Sequence, residues 1–275
     1  MGSWAWRDKE PGRHAGLRYE PGNWGDALKG EWALAALEAL LARPGTRTAL
    51  DPFAGAPVYP LAPASQARLE ALADACPRYV RAQAAWVARG ELTSTAGLLA
   101  AQAGARLALS VFDKDPERRG GWEAPATVLE VEDGAQALRE ARGGAFDLVH
   151  VDPYDLQSDW GVLLAPALEA LAPEGVLLAY LFNKAPRGAG HQAQYARLRQ
   201  GLAERLGPAR DLRVGRVPAD AVLPRAYHEV LLVGPTALCA ALDAELRASA
   251  EALAATIARA GAYEGQGGGG AGGRS

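Results

Sequence analysis

The sequence predicts an α/β fold with a mainly parallel central sheet flanked by helices. Three observations predict it. Short apolar runs alternate with helical stretches from about residue 47 onward. Four of those runs stop at a carboxylate: Asp51, Asp113, Asp133 and Asp152. The run Val176 to Phe182 is continuously apolar, as strands buried on both faces are.

The elements follow in order. Residues 1–22 are polar, broken by Pro11, Gly12, Gly16 and Pro21, and read as an irregular arm. A domain over 23–262 follows. Asn23 is suited to cap a helix, and Trp24, Leu28, Trp32, Leu34, Leu37 and Leu41 recur at helical spacing. Asp26 and Lys29 lie one turn apart on it, a spacing that permits an ion pair. Pro44 and Gly45 end that helix. A first strand then reaches Thr48-Ala49-Leu50-Asp51, with the turn Pro52-Phe53-Ala54-Gly55 after it.

Pro57, Pro60 and Pro63 then interrupt the rhythm. Two alanine-rich stretches, 64–75 and 78–88, make a helical insertion of about 56–92. Thr93-Ser94-Thr95 offers caps for a helix over 96–103. Further strands are predicted at 106–112, 127–131, 146–151 and 176–182, with helices at 135–142, 160–171 and 191–206. Two last strands fall near 210–217 and 228–233, and a final helix spans about 236–260. The tail, 263–275, is glycine-rich and too poor in apolar residues to pack.

Composition narrows the function. The 275 residues are 49% hydrophobic and carry a net charge of −3, so no global basic field marks a nucleic-acid binder, although a local patch suffices for one. Cys76 and Cys239 have no metal or redox spacing, which fits a reducing, cytoplasmic setting. No apolar run has membrane-spanning length, and the N-terminus lacks a signal-peptide core. A monomer without metal or membrane partner is expected. His150, inside an apolar strand, and His228, at the start of one, read as structural, whereas His191 and Arg187 border a loop at the binding edge.

Four carboxylates along one sheet edge repel one another unless they serve a ligand or a wet cleft. Ligands of open α/β sheets bind beyond the carboxyl ends of the strands. The first turn has neither G-x-G-x-x-G nor a G-K-[ST] phosphate loop. S-adenosylmethionine therefore fits better than a pyrophosphate cofactor. It offers ribose hydroxyls, an adenine amine, an ammonium and a sulfonium.

Gly22-Asn23, Asp26 and Lys29 match a G-N-x-x-D-x-x-K motif, and Asp51, Ala54 and Gly55 match D-x-x-A-G. Asp113 with Pro116, Asp133-Gly134 with Gln136 and Leu138, and Asp152-Pro153 follow in the same family's order. With these motifs the chain, over roughly 22–185, resembles the class I S-adenosylmethionine-dependent methyltransferases of the RlmJ type. That family methylates an adenine N6 in 23S ribosomal RNA. The resemblance implies a Rossmann-like fold, S-adenosylmethionine as cofactor and RNA as substrate. It implies that Lys29 reaches the methionine carboxylate. Phe53, Ala54 and Gly55 would border the methionine moiety, Asp113 the ribose, and Asp133 and Gly134 the adenine, while Asp51 also belongs to the cofactor site and Thr95 stands where the family has a cofactor-contacting serine. Asp152 would stand between cofactor and acceptor amine, with the Pro153 carbonyl and the Tyr154 ring beside it. The family's D-P-P-Y is here Asp152-Pro153-Tyr154-Asp155, one residue shorter. Two alternatives stay open: a non-catalytic protein of this fold that binds RNA or a protein, and a methyltransferase for another substrate.

Overall fold

The computed structural model describes residues 21–122, 126–131, 133–153, 156–183, 199–218 and 227–267. The arm over 1–20, Tyr154, the loop with Arg187 and His191, and residues 268–275 lie outside them. The chain first forms α1 (Trp24–Leu41) and β1 (Arg47–Asp51). Asn23 caps α1 reciprocally: its side chain accepts from the amides of Gly25 and Asp26, and the Asp26 carboxylate accepts from the amide of Asn23. The stretch 56–92 holds β2 (Tyr59–Pro60), α2 (Pro63–Leu72), α3 (Pro77–Val87) and β3 (Glu91–Leu92). The two short strands pair antiparallel, a ribbon too brief to leave a sequence pattern.

Next come α4 (Thr95–Ala103), β4 (Leu107–Val111), α5 (Pro116–Gly120), β5 (Thr127–Val128), α6 (Gly134–Glu140) and β6 (Phe146–Val151). Ser94 is the member of the hydroxyl triplet that caps α4, accepting from the amide of Gly97 at 3.3 Å. The third predicted strand shrinks to two residues, because β5 is an edge strand matched only to Ser110 and Val111. The chain continues through α7 (Leu156–Ala170) and β7 (Leu171–Asn183). A further helix, α8, is described over 199–205. The antiparallel β8 (Arg210–Pro218) and β9 (Tyr227–Pro235) precede α9 (Thr236–Gly267), which runs past the expected end near 260. β7 begins five residues earlier than expected. Phe146 pairs with Leu171 and Leu148 with Val176, so Pro173-Glu174-Gly175 lie in an irregular part of the strand.

The sheet order is β5-β4-β1-β6-β7-β9-β8. All neighbours are parallel except β9, which runs against both β7 and β8. The fold is thus α/β and Rossmann-like, as predicted. The order reverses between β1 and β6, since β4 and β5 lie on one side of β1 and β6 and β7 on the other. In open α/β sheets ligands bind beyond the carboxyl ends of the strands at such a switch point.

Both faces of the sheet are covered. On one, α1, α4 and α9 pack on residues such as Leu148, Leu178, Val230 and Leu232. On the other, α6, α7 and α8 cover Val149, Val151, Leu177 and Leu231. Side chains alternate along a strand, so His150, Asp152, Tyr180 and His228 share the α1 face. α1 is buried almost all round, because α3, α4 and α9 close over the side away from the sheet.

Candidate functional site

The loop after β1 is tied down by carboxylates. Asp51 Oδ1 accepts from the amide of Phe53 at 3.0 Å, and its Oδ2 lies 2.6 Å from His150 Nδ1. Both side chains are fully buried, so Asp51 organises the loop from beneath. His150 is a core residue, as the sequence implies.

Asp113 stands two residues beyond β4. Its Oδ2 accepts from the amide of Gly55 at 3.1 Å and its Oδ1 from the amide of Asp115 at 2.7 Å. The Arg118 guanidinium is 3.6 Å away. This carboxylate fastens the β1 loop to the β4 loop and lies beside the switch point. Gly55 has φ +69°, a left-handed conformation that suits glycine, and a Cβ there would meet the Tyr59 hydroxyl at 2.3 Å. Its carbonyl accepts from the Trp122 indole at 2.9 Å.

Asp133 caps α6, accepting from the amide of Gln136 at 2.7 Å. Gly134 lies under the preceding loop: a Cβ on it would come within 2.5 Å of the Phe53 ring and 2.6 Å of the Pro52 carbonyl. Phe53, Gly55, Asp113 and Gly134 therefore form one continuous wall, joined through the β1 loop.

A second cluster lies at the start of α1 and the end of β6. Lys29 Nζ is 2.8 Å from Asp26 Oδ1 and also bonds Asp152 Oδ2, at the end of β6. The Asp26–Lys29 ion pair that the spacing permits is thus present, but it is half of a triad. Asp26 is fixed by the amide of Gly22 at 2.8 Å as well as by that of Asn23. Beneath the ammonium, the Tyr180 ring centroid is 5.0 Å away. Tyr180 Oη lies 2.7 Å from His228 Nδ1. Gly25 makes room for this pair, since a Cβ there would be 2.1 Å from the Tyr180 hydroxyl.

The electrostatics follow from burial. Burial opposes the charge on Lys29, yet Asp152, Asp26 and Tyr180 more than offset it and hold its pKa well above the ordinary value. Burial pushes the Tyr180 phenol well up and the His228 imidazole down to about 4. At neutral pH, Lys29 is a cation beside a neutral tyrosine and a neutral histidine. Lys29 and Thr95 also line one small polar cavity of about 20 Å³, with Gly22, Tyr59, Tyr79 and Thr93.

The structure gathers Lys29, Thr95 and Asp152 on one side and Phe53, Gly55, Asp113 and Gly134 on the other. Ala54 is buried between β1 and β4, its amide donating to the Phe112 carbonyl at 3.0 Å. Sequence reasoning missed Tyr180 altogether, whereas His228, read as structural, is buried near the start of β9. A lone tyrosine within the apolar run Val176–Phe182 is the signal that could have found the first. A larger crevice of about 280 Å³ lies between β8 and α9, lined by Trp32, Arg213, Asp243 and Arg247, and holds none of the candidate residues. Among the described residues, no group of His, Cys, Asp or Glu has the arrangement of a metal site. No helix among them is long and apolar enough to cross a membrane.

These features define the protein's class by fold: an α/β protein with a mainly parallel Rossmann-like sheet and polar groups at its switch point. The chain matches no protein-family model and no curated protein sequence. Among solved structures it is similar to protein LPL1258 from Legionella pneumophila, of the family-model DUF519. The TM-score is 0.65 at 14% identity, covering 85% of this chain and 92% of that one. Lower similarity links it to a putative rRNA-methylase from Clostridium thermocellum, with TM-score 0.42, 11% identity and coverage of 73% and 93%. An O-methyltransferase from Bacillus cereus, solved in complex with SAH, aligns with TM-score 0.38, 14% identity and coverage of 79% and 82%.

Proposed function

We propose that the protein is an S-adenosylmethionine-dependent methyltransferase whose acceptor is an exocyclic amine, an adenine N6 in ribosomal RNA. The observation that carries this reading is Asp152, a carboxylate at the end of β6 beside the switch point, held by the buried Lys29. The residues present fit the cofactor. Asp113 offers a carboxylate for ribose hydroxyls, and Lys29 a cation for the amino-acid carboxylate. Gly55 and Gly134 let the Tyr59 hydroxyl and the Phe53 ring pack directly against the backbone of the wall that includes Asp113. Asp133 and Thr95 complete the set at the adenine and methionine ends. When bound, the cofactor supplies an electrophilic methyl group on a sulfonium.

The chain's own work is positioning. The lone pair of an adenine N6 is delocalised into the ring, so the amine is a weak nucleophile. The Asp152 carboxylate and the Pro153 carbonyl would accept its N–H hydrogens and localise that pair, while Tyr154 would stack on the base. Holding amine and methyl in line then supplies most of the acceleration. The site is assigned to RNA on the ordered motif set and to a cytoplasmic setting on cysteine usage.

One feature favours the second reading, a protein of this fold that binds RNA or a protein without catalysis. The loop Asp152-Pro153-Tyr154-Asp155 is one residue shorter than D-P-P-Y. Transfer of radiolabelled methyl from the cofactor to unmethylated ribosomal RNA separates the two. On the catalytic reading, Asp152→Ala stays folded and keeps SAH binding but loses about 10²–10³ in rate. A folded, fully active variant removes Asp152 from the mechanism. SAH binding without transfer to any RNA supports the second reading.

A further inference from the structure

Lys29 has two kinds of partner. Asp26 and Tyr180 are parts of the scaffold. Asp26 is pinned at the start of α1 by the amides of Gly22 and Asn23. Tyr180 is fixed in β7 by His228 and by its close fit over Gly25. Asp152 differs, because it is a partly exposed carboxylate just beyond the end of β6. The ammonium's anchor is therefore permanent on one side and exchangeable on the other.

The surroundings decide how a second anion can arrive. The cavity of about 20 Å³ beside Lys29 lies on its Asp26 side, among Tyr59, Tyr79 and Thr93, and has room for about one water, so it offers no second seat for a carboxylate there. Adding an anion to Asp26 and Asp152 would also place three negative charges on one cation in a buried site, which repulsion disfavours. An arriving carboxylate must replace Asp152 rather than join it.

We propose that Lys29 exchanges partners during the reaction: the carboxylate of the cofactor's amino-acid moiety displaces Asp152, and only then does Asp152 accept the hydrogens of the acceptor amine. This rests on the methyltransferase reading and adds an order to it, cofactor before acceptor. While paired with Lys29, Asp152 is a neutralised and weaker acceptor. Once released it carries its full charge toward the amine. One ion pair replaces another, so the exchange costs little overall, and the triad keeps Asp152 from binding stray cationic groups when no cofactor is present.

Calorimetry on the full chain with two ligands tests this. SAH carries the carboxylate; 5′-methylthioadenosine has the same nucleoside and lacks the amino-acid portion. Asp152→Asn no longer competes for Lys29, so it binds SAH more tightly than the unmutated protein, by about fivefold or more, with methylthioadenosine unchanged. Lys29→Met loses about tenfold or more for SAH and nothing for methylthioadenosine. The second variant keeps the test decisive if Asp152→Asn does not fold. Equal or weaker SAH binding by folded Asp152→Asn overturns the exchange alone, as does a Lys29→Met variant that weakens both ligands alike. An unmutated protein that binds neither ligand overturns the methyltransferase reading and the exchange with it.

Discussion

His228 carries the most consequence for a residue outside the predicted set. It is buried against Tyr180, and burial holds its pKa near 4, below the ordinary value of 6.5. The folded state therefore prefers the neutral ring. The unfolded chain binds the extra proton between those two values, so this contribution is complete above pH 6.5 and is lost as pH falls toward 4. The full shift corresponds to about 3 kcal/mol at most. In denaturant unfolding from pH 7 to 4.5, the stability difference between the unmutated protein and folded His228→Asn is expected to shift against the unmutated protein with acidity, a comparison in which the opposing Glu229 contribution cancels. A difference that stays constant with pH would locate the acid sensitivity elsewhere. Glu229, one residue on, titrates in the opposite sense. Burial raises its carboxyl to about 8, although the Arg216 guanidinium bonds its Oε2 at 2.7–2.8 Å.

At the scale of elements, α1 is the piece on which the site depends. It carries Asp26 and Lys29, and its position is set by close approaches that only glycine permits. Gly25 meets Tyr180, and Gly30 meets the Tyr79 ring at 2.5 Å from a would-be Cβ. The edge strand β8 meets the same helix through Gly215, where a Cβ would lie 2.2 Å from the Trp32 indole. Gly215→Ala must push β8 or Trp32 aside, at a cost of about 1–3 kcal/mol. Because Trp32 lies one turn beyond Lys29 on α1, the strain sits near the site without touching a ligand. Thermal melting is expected to show the loss. A melting temperature equal to that of the unmutated protein would mean that the strand yields freely.

At the scale of the molecule, the candidate residues come from two groups, the β1, β4 and α6 loops and α1 with the ends of β6, β7 and β9. A ligand that bridges them stabilises the folded state by mass action, about 2.7 kcal/mol at a free concentration a hundred times the dissociation constant. SAH is therefore expected to raise the melting temperature by several degrees, about 2–4 °C per kcal/mol for a chain of this size. Methylthioadenosine should raise it less at equal concentration, since it does not reach Lys29. No shift with either ligand at millimolar concentration would count against the proposed cofactor.

The strand–helix alternation, the apolar run of β7 and the caps at Asn23 and Ser94 were all legible in the sequence, because each is a local pattern of polarity or hydrogen-bonding capacity. The carboxylates at the ends of β1, β4 and β6 were legible for the same reason. What each carboxylate does was not. Asp51 turns inward to His150, Asp113 holds the Gly55 amide, and Asp152 meets a lysine 123 residues away. Those outcomes depend on which strands become neighbours and which face each side chain takes. The two-residue pairings β2–β3 and β4–β5 were hidden because so short a ladder leaves no periodicity. The Tyr180–His228 pair was hidden because 48 residues separate its members until the reversed strand β9 brings them together. The sequence by itself determined the α/β class and the kinds of group at the sheet edge. Only the tertiary structure decided the partners of Lys29, since long-range pairing, unlike local pattern, is settled by the packing of the whole sheet.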